Sequence, residues 1–205
     1  MTSGAFPWSG LAITLFAYML GTIPFGVLVA RWVGAADPRT KGSGNIGSTN
    51  VLRVAGKGPA AATFLLDAGK GFVAVWTALS LTADHTGLWA QISGIAVVLG
   101  HTFPVWTGFR GGKGVATGIG ALAALSPVIA LGVLAVWSGI LAVFRYVSLA
   151  SITAAVALPI AVFLTGRPSI HVFAVIVAAA ILIRHYDNIR RLLRGTESPI
   201  GRRAG

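Results

Sequence analysis

The stretch VATGIGALAALSPVIALGVLAVWSGILAVF, residues 115 to 144, decides how the apolar part of this chain is divided. A single helix of this length would extend about 45 Å, whereas about 20 residues suffice to cross a hydrocarbon core of roughly 30 Å. Ser126-Pro127 interrupts the stretch near its middle. We therefore predict two segments, Val115 to Leu125 and Val128 to Phe144.

The composition sets the class of the whole chain. Of 205 residues, 55% are hydrophobic and 10% are charged, and the mean hydropathy is +0.81. A water-soluble domain of this size could not bury so much apolar surface. The sequence predicts an all-α, polytopic integral membrane protein with one domain over residues 1–205. Five further segments are predicted: Trp8 to Val33, Pro59 to Thr82, Leu88 to Trp106, Val147 to Thr165 and Ser169 to Ile183.

The distribution of charge orients these seven segments. Sixteen Lys and Arg face five carboxylates, a net charge of +11, and basic loops stay in the cytoplasm. With the N-terminus outside, nearly all basic residues lie inside, and the turn with Asp84 and His85 lies outside. If residues 115 to 144 formed one kinked helix, the basic C-terminal segment from Arg184 would face outward. We therefore predict seven transmembrane segments and a cytoplasmic C-terminus. The first segment has no basic residue before Arg31, so we expect it to be retained rather than cleaved.

Several function classes are excluded or weakened by composition. The chain has no cysteine, which excludes disulfides, a thiolate nucleophile and Cys-ligated metals. The four histidines lack H-E-x-x-H spacing and have few carboxylates near them in sequence, so no metal and no cofactor is predicted. The basic residues are dispersed among membrane segments, which makes nucleic acid an unfavourable partner. The expected partners are the lipid bilayer and an anionic ligand, and the oligomeric state is left open.

The stretch KGSGNIGSTNVLR, residues 41 to 53, is rich in glycine and hydroxyl groups. Its glycines match G-x-G-x-x-G, the pattern of a dinucleotide-binding turn, but a long apolar segment precedes it instead of the strand of a βαβ unit. A nucleotide fold is therefore disfavoured, and a flexible loop is the simpler alternative. Backbone N–H groups between glycines can nonetheless form an anion nest. The predicted contacts here are Gly42, Ser43, Gly44, Asn45, Gly47, Thr49, Asn50 and Arg53.

The stretch GHTFPVWTGFRGGKGVATG, residues 100 to 118, invites comparison with a nucleotide P-loop. The comparison fails because position 107 is Thr and position 114 is Gly, where the motif requires Gly and Ser or Thr. What remains is a glycine loop that opens onto a helix, so an anion could bind at the helix N-terminus beside Lys113. The predicted contacts here are Arg110, Gly111, Gly112, Lys113 and Gly114.

The third polar stretch is RHYDNIRRLLRGTE, residues 184 to 197, with Arg184, His185 and Asn188 as site candidates. In the predicted topology, all three stretches lie on the same membrane face. This convergence points to a binding site for a phosphate, to which Arg offers a planar fork and Lys a point charge. Basic residues that only anchor the cytoplasmic face are the alternative.

Three ionisable residues fall within or beside the membrane segments. Asp67 and Lys70 lie on one helix face, where they form either a mutual ion pair or a wall of the active groove. His101 follows a membrane segment, and it could hydrogen-bond across helices or take part in the site.

These motifs in this order, with DAGKG at residues 67 to 71, resemble the bacterial acyl-phosphate:glycerol-3-phosphate acyltransferase family, PlsY. The only departure is local, at Tyr186-Asp187. The resemblance implies transfer of a fatty acyl group from acyl phosphate to the sn-1 hydroxyl of glycerol 3-phosphate, which gives 1-acyl-glycerol 3-phosphate and phosphate. It also implies a seven-helix protein of the bacterial cytoplasmic (inner) membrane, with its groove facing the cytoplasm.

The resemblance also implies residue roles. Ser43, Arg53 and Lys113 would hold phosphate groups, and His185 and Asn188 would position glycerol 3-phosphate. The substrate's own phosphate would take the hydroxyl proton, although the residues alone leave His185 or His101 as a possible base. No Ser-His-Asp order or nucleophile elbow indicates a covalent intermediate.

Two other classes remain as alternatives. A transporter of phosphate esters or other anions would also use glycine-interrupted helices and buried basic residues. Against it, the polar motifs share one membrane face, whereas alternating access favours a site near the midplane. A membrane scaffold without activity would have no use for such dense polar motifs.

Overall fold

A computed structural model describes residues 8–82 and 87–200 of the chain. Across these two ranges the secondary structure is helical, with no strand. The all-α class predicted from the sequence is confirmed. The turn with Asp84 and His85, which is predicted to lie outside the membrane, falls outside the described residues.

Ten α-helices and two short 3-10 turns make up the described part of the chain. The helices are α1 Trp8–Gly21, α2 Phe25–Trp32, α3 Ser48–Ala55, α4 Lys57–Leu81, α5 Leu88–Thr102, α6 Val115–Leu125, α7 Pro127–Phe144, α8 Val147–Leu164, α9 His171–Arg184 and α10 Tyr186–Leu193. The 3-10 turns are Val105–Thr107 and Pro168–Ile170.

Residues 115–144 form two helices, α6 and α7, as predicted. Ser126 is extended, with φ −158° and ψ 94°, and Pro127 is the first residue of α7. Proline suits this position because its fixed φ is helical and its missing N–H would have had no helical partner. With 11 residues, α6 is about 16 Å long, roughly half of a hydrocarbon core.

The first apolar segment contains a break that the sequence analysis did not predict. α1 ends at Gly21 and α2 begins at Phe25, with a bend of 41° between them. Pro24 accounts for the interruption, because proline disfavours helical dihedrals in the residue before it and lacks a backbone N–H. A second bend, of 58°, separates α9 from α10 at His185.

The length and composition of the helices fit a membrane protein. α4, α7, α8 and α5 extended to Thr107 are each long and apolar enough to cross a membrane, and counting each bent pair as one span gives six. At 11 residues α6 is below the length of a span, so the count of seven transmembrane segments stays a prediction. Large apolar side chains on α7, among them Val128 and Leu131, point outward, as expected for a lipid-facing helix.

Glycines let two helix pairs pack with their backbones close together. On α1 and α5, a Cβ at Gly21 would lie 2.3 Å from the carbonyl oxygen of Val97. On α4 and α6, a Cβ at Gly71 would lie 2.1 Å from the carbonyl oxygen of Thr117. Such contacts between small residues are typical of membrane helices. The second contact places the start of α6 next to α4, where the polar loops meet.

Candidate active site

A cavity of about 880 Å3 lies where the three polar stretches meet. Side chains from the loop before α3, from the loop before α6 and from the α9–α10 junction line it, as the sequence predicts for a shared site. The predicted residues that line it are Gly42, Ser43, Asn45, Gly47, Thr49, Asn50, Arg53, Asp67, His101, Lys113, Gly114, Arg184, His185 and Asn188.

Five other predicted residues are placed outside this lining. Gly44 forms a turn with φ +71°, and Lys70 is buried on α4. Gly111 and Gly112 form the backbone just before Lys113. Arg110 is exposed. A direct contact of these five with a substrate stays a prediction.

Asn50 organises the loop between α2 and α3, and it does so through its side chain. Its Nδ2 donates to the carbonyl oxygens of Pro38, Lys41 and Asn45 at 2.8, 3.0 and 2.9 Å, and its Oδ1 accepts from the Ser43 N–H at 2.8 Å. Asn50 as a whole residue is 1% exposed. The amide therefore holds the loop in shape, and its predicted contact with a substrate stays a prediction.

Glycine at position 42 is required by the same arrangement. Gly42 has φ +64°, and a Cβ there would lie 2.2 Å from Asn50 Oδ1. A side chain would be strained by the positive φ and would push the amide away. The loop consequently presents Ser43 to the cavity at a fixed place.

α3 carries the cation of this loop. Thr49 and Arg53 are four residues apart on this helix, so they lie on one face, and both line the cavity. The helix was not predicted from the sequence, although Gly47 before it and Gly56 after it cap its ends. Its first N–H groups have no intrahelical acceptor and suit an anion in the cavity.

The loop before α6 is held by backbone bonds to the end of α5. Gly111 N–H donates to Thr102 O at 3.2 Å, and Gly112 N–H donates to His101 O at 3.0 Å. On its other side, the Arg184 guanidinium donates to Gly111 O at 3.2 Å and to Gly112 O at 3.4 Å. Lys113 then enters the cavity.

Lys113 is the cation of this second loop. Its Nζ donates to Asn188 Oδ1. Burial lowers the pKa of Lys113 to about 8, and the nearby Glu197 carboxylate opposes this shift. The amine is therefore mostly protonated at neutral pH, while it can lose its proton at a moderately alkaline pH.

Glu197 is a site residue that the sequence analysis missed. Its Oε1 accepts from Asn188 Nδ2 and from Ser148 Oγ, each at 2.6 Å, and its Oε2 accepts from Arg191 Nε at 2.6 Å. Burial would raise the pKa of Glu197, but these hydrogen bonds outweigh burial and lower it. Glu197 thus stays ionised and fixes the Asn188 amide with Oδ1 toward Lys113. Glu197 is one of only two carboxylates in the basic stretch of residues 184–197, with Asp187, and that scarcity was the available signal.

His185 lies at the junction of α9 and α10 and is buried. Its Nδ1 lies 2.8 Å from the carbonyl oxygen of Ile181. A carbonyl only accepts hydrogen bonds, so Nδ1 carries the proton and Nε2 of the neutral ring is an acceptor. Such a nitrogen suits a substrate hydroxyl.

The sequence left two interpretations for Asp67 and Lys70, a mutual ion pair or a wall of the active groove, and the structure shows a part of each. Asp67 Oδ1 lies 2.7 Å from Lys70 Nζ, which is the ion pair, and 3.4 Å from His101 Nδ1. Asp67 and His101 also line the cavity, whereas Lys70 does not. Lys70 Nζ instead donates to Ile23 O at 2.9 Å, at the break between α1 and α2.

A narrow apolar pocket of about 50 Å3 adjoins the cavity. The two share Phe64, Val115, Trp137 and Ser151, and the pocket continues between α6, α7, α8 and α9. Nothing in the sequence analysis predicted this pocket, because it is formed by mostly apolar residues on five helices, α4 and α6 to α9. An amphiphile with an anionic head and an apolar tail matches the combined shape.

The electrostatics of the cavity favour an anion. The basic side chains in its lining are Arg53, Lys57, Lys113, Arg184 and Arg191, and the acidic ones are Asp67, Asp187 and Glu197. Two of these carboxylates are neutralised locally, Asp67 by Lys70 and Glu197 by Arg191. Within the described residues, no group of three or more His, Asp or Glu is arranged to hold a metal ion.

Relatives of the chain are consistent with this site. The family model described as glycerol-3-phosphate acyltransferase matches residues 11–195. A glycerol-3-phosphate acyltransferase of Mesorhizobium japonicum is 51% identical, over 94% of this chain and 97% of the relative. Another, of Jannaschia sp., is 49% identical, over 92% of this chain and 91% of the relative.

Two solved structures share the fold. Both are of PlsY (YgiH), described as an integral membrane glycerol 3-phosphate acyltransferase, and each match covers 94% of this chain and 96% of the solved chain. The glycerol 3-phosphate form has a TM-score of 0.88 at 45% identity, and the lysophosphatidic acid form has 0.84 at 42%. The predicted integral membrane class is thereby confirmed. With its polar motifs gathered around one cavity lined by basic side chains and with these matches, the chain belongs to the glycerol-3-phosphate acyltransferase family.

Proposed function

We propose that this protein transfers a fatty acyl group from acyl phosphate to the sn-1 hydroxyl of glycerol 3-phosphate. The observation that carries the proposal is a single cavity in which two cationic loops meet beside an apolar pocket. The polar part suits two phosphate groups, and the apolar part suits the start of an acyl tail. The matched family and the two solved forms of PlsY, the glycerol 3-phosphate form and the lysophosphatidic acid form, support the same reaction.

The reaction needs no covalent enzyme intermediate. The sn-1 oxygen attacks the acyl carbonyl carbon, a C–O ester bond forms, and the C–O bond to phosphate breaks. Phosphate leaves with the bonding electrons, and the hydroxyl proton passes to a phosphate oxygen. The products are 1-acyl-glycerol 3-phosphate, which is lysophosphatidic acid, and inorganic phosphate.

Different residues bind the phosphate groups and position the glycerol hydroxyl. Ser43, Arg53 and Lys113 hold phosphate oxygens, the two cations by charge-assisted hydrogen bonds. His185 and Asn188 position the glycerol hydroxyl, and the former accepts at Nε2. Arg53 and Lys113 also stabilise the charge that accumulates on the leaving phosphate.

The donor distinguishes this reaction from other acyl transfers. Purified protein in detergent or bilayers is given labelled glycerol 3-phosphate with acyl phosphate or with acyl-CoA, and labelled lipid and free phosphate are measured. We expect equal amounts of lipid and phosphate from acyl phosphate, and none from acyl-CoA. Lys113→Ala, with its strongly reduced but measurable activity, serves as the control. Turnover with acyl-CoA alone would overturn the donor assignment. Folded protein that exchanges labelled glycerol 3-phosphate across proteoliposomes without conversion would instead indicate the transporter.

We also propose that the cavity faces the cytoplasm of a bacterial inner membrane, with the N-terminus on the other side. The basic residues around the cavity support this orientation. In intact cells with a permeabilised outer membrane, an impermeant thiol reagent should not label Ser198→Cys. It should label Arg167→Cys, because this orientation places the turn between α8 and α9 outside. The chain has no cysteine of its own, so each label reports one site. The reverse pattern would overturn the orientation.

A further inference from the structure

Asp67 and His101 are buried ionisable residues whose arrangement the proposed chemistry does not explain. They are 2% and 4% exposed, on helices α4 and α5. Burying an ionisable group in a membrane protein is costly unless a partner or a function compensates. Asp67 has a partner, since Lys70 lies 2.7 Å away. The Asp67 carboxylate also lies 3.4 Å from His101 Nδ1, but no hydrogen bond forms there, and Nδ1 has no other hydrogen-bond partner among the described residues.

The second ring nitrogen of His101 lies against the loop that carries Lys113. A Cβ at Gly112 would lie 2.0 Å from His101 Nε2, so the imidazole occupies the space that a side chain at position 112 would need. The backbone of the same histidine also accepts from the Gly112 N–H at 3.0 Å. His101 therefore contacts Gly112 with both its ring and its main chain.

Arg184 fixes the opposite side of the loop. Its guanidinium donates to the carbonyl oxygens of Gly111 and Gly112 at 3.2 and 3.4 Å. The two glycines are consequently held between His101 and Arg184. Lys113 is the next residue, so any shift of these glycines moves its amine relative to Asn188.

We propose that His101 is a positioning residue that places Lys113 through the backbone of Gly112. It acts on the cation that binds phosphate and makes no contact with the reacting atoms. The Asp67 carboxylate lies beside the ring, and Lys70 offsets the charge of Asp67 and donates to Ile23 O at the α1–α2 break. The inference rests on the proposed function, because the effect of a misplaced Lys113 is read as lost acyl transfer.

A double-mutant cycle between positions 101 and 113 tests the proposal. In the purified full chain we expect His101→Gln to lower kcat/KM by about tenfold, within the range of coupling between residues that act as a unit. In the Lys113→Ala background the same substitution should lower kcat/KM by less than about twofold, because the cation that it positions is gone. An equal loss in both backgrounds would overturn the proposal, since a histidine that only supports the fold acts regardless of Lys113.

The alkaline limb of the pH profile provides a second measurement. Lys113 is faced by Glu197 from the C-terminal segment, Arg191 from α10, Arg53 from α3, and Arg184 and His185 from the end of α9. None of these is altered by His101→Gln, so a displaced and better solvated Lys113 should shift the limb upward. A limb that stays in place, with activity reduced, would count against positioning.

Controls separate this inference from folding and from the proposed function. His171→Gln, at the far end of α9, should retain wild-type activity. If His101→Gln is not recovered folded, Asp67→Asn replaces it in the same cycle, with the same criterion. If neither variant folds, the pair is structural and the proposal fails. Folded wild-type protein without turnover would overturn the proposed function and this inference together, whereas normal wild-type turnover without coupling would overturn this inference alone.

Discussion

The two glycine loops each deliver one cation to the cavity, but they are held in place by different means. The loop at residues 41–53, the first loop, is tied together by the Asn50 amide, whose partners all lie between Pro38 and Asn45. The loop at residues 108–114, the second loop, is held by contacts from α5 and α9, with an ion pair on α4 behind them. The first loop is supported locally, whereas the second depends on three helices.

This difference separates two ways of building a phosphate site. A loop held by its own neutral amide depends less on the packing of distant helices, although the first loop also packs against α2, where Gly26 lies close to the backbone of Ile46. A loop held by distant helices takes its position from the way those helices pack, so it transmits changes in the membrane-embedded part to the site.

Removing either cation should abolish most activity. Arg53→Ala and Lys113→Ala each delete a charge-assisted hydrogen bond worth about 1.5 to 3 kcal/mol, which corresponds to a loss of roughly ten- to a hundredfold. Steady-state kinetics with acyl phosphate measures this loss. Arg31→Ala, an exposed basic residue at the end of α2, is the matched control and should change activity by less than about twofold. Similar small effects at all three positions would mean that both loops only anchor the protein.

A methyl group at Gly112 should disturb the second loop more than a methyl group in an open helical position. In Gly112→Ala the Cβ would meet the His101 ring at 2.0 Å, whereas nothing lies within 4 Å of a Cβ at Gly132 on α7. We expect about a tenfold loss of kcat/KM for Gly112→Ala, with Gly132→Ala near wild type. Comparable kinetics for the two variants would contradict the clamped second loop.

Removing the Asn50 side-chain amide should increase hydrogen exchange in the first loop and leave the second loop unchanged. Asn50→Ala leaves three carbonyl oxygens and the Ser43 N–H without their partner, at a cost of about 1 to 3 kcal/mol per buried group left unsatisfied. Hydrogen exchange followed by mass spectrometry should show faster exchange at residues 38–50 and no change at residues 103–114. Asn50→Asp, which keeps the acceptor and loses the donors, should be intermediate. Faster exchange in both loops would show that the first loop is not self-contained.

Only the second loop should respond to alkaline pH. Lys113 has a pKa of about 8, so its charge is present below that pH and is lost above it, while an arginine stays protonated. The value of kcat/KM should therefore fall by severalfold between pH 8 and pH 9. Lys113→Arg, whatever its absolute activity, should lose this limb. A limb that persists in Lys113→Arg would assign it to another group.

The sequence was sufficient for the class of protein, the family and the gathering of three motifs at one cavity. Hydropathy and motif spacing are properties of short stretches, and the Ser126-Pro127 interruption is equally local. The break before Pro24 was missed because a long apolar run dominated the analysis of that segment. Glu197 and the apolar pocket were missed because their meaning arises from partners on other helices, such as Ser148 and Trp137, which no local pattern records. Which of the predicted residues touch a substrate stays a prediction.

The junction of the polar cavity with the apolar pocket has a consequence for kinetics. In the proposed reaction, glycerol 3-phosphate arrives from the aqueous phase and is counted per volume, whereas acyl phosphate partitions into the bilayer and is counted per area. Adding inert lipid at a fixed amount of enzyme and donor should therefore slow the reaction by surface dilution of the donor. Diluting the vesicles in buffer at constant glycerol 3-phosphate should leave the rate per enzyme unchanged. The rate would follow the mole fraction of acyl phosphate in the membrane. Growth of the membrane would therefore dilute acyl phosphate and slow the acyl transfer that supplies lipid to that membrane.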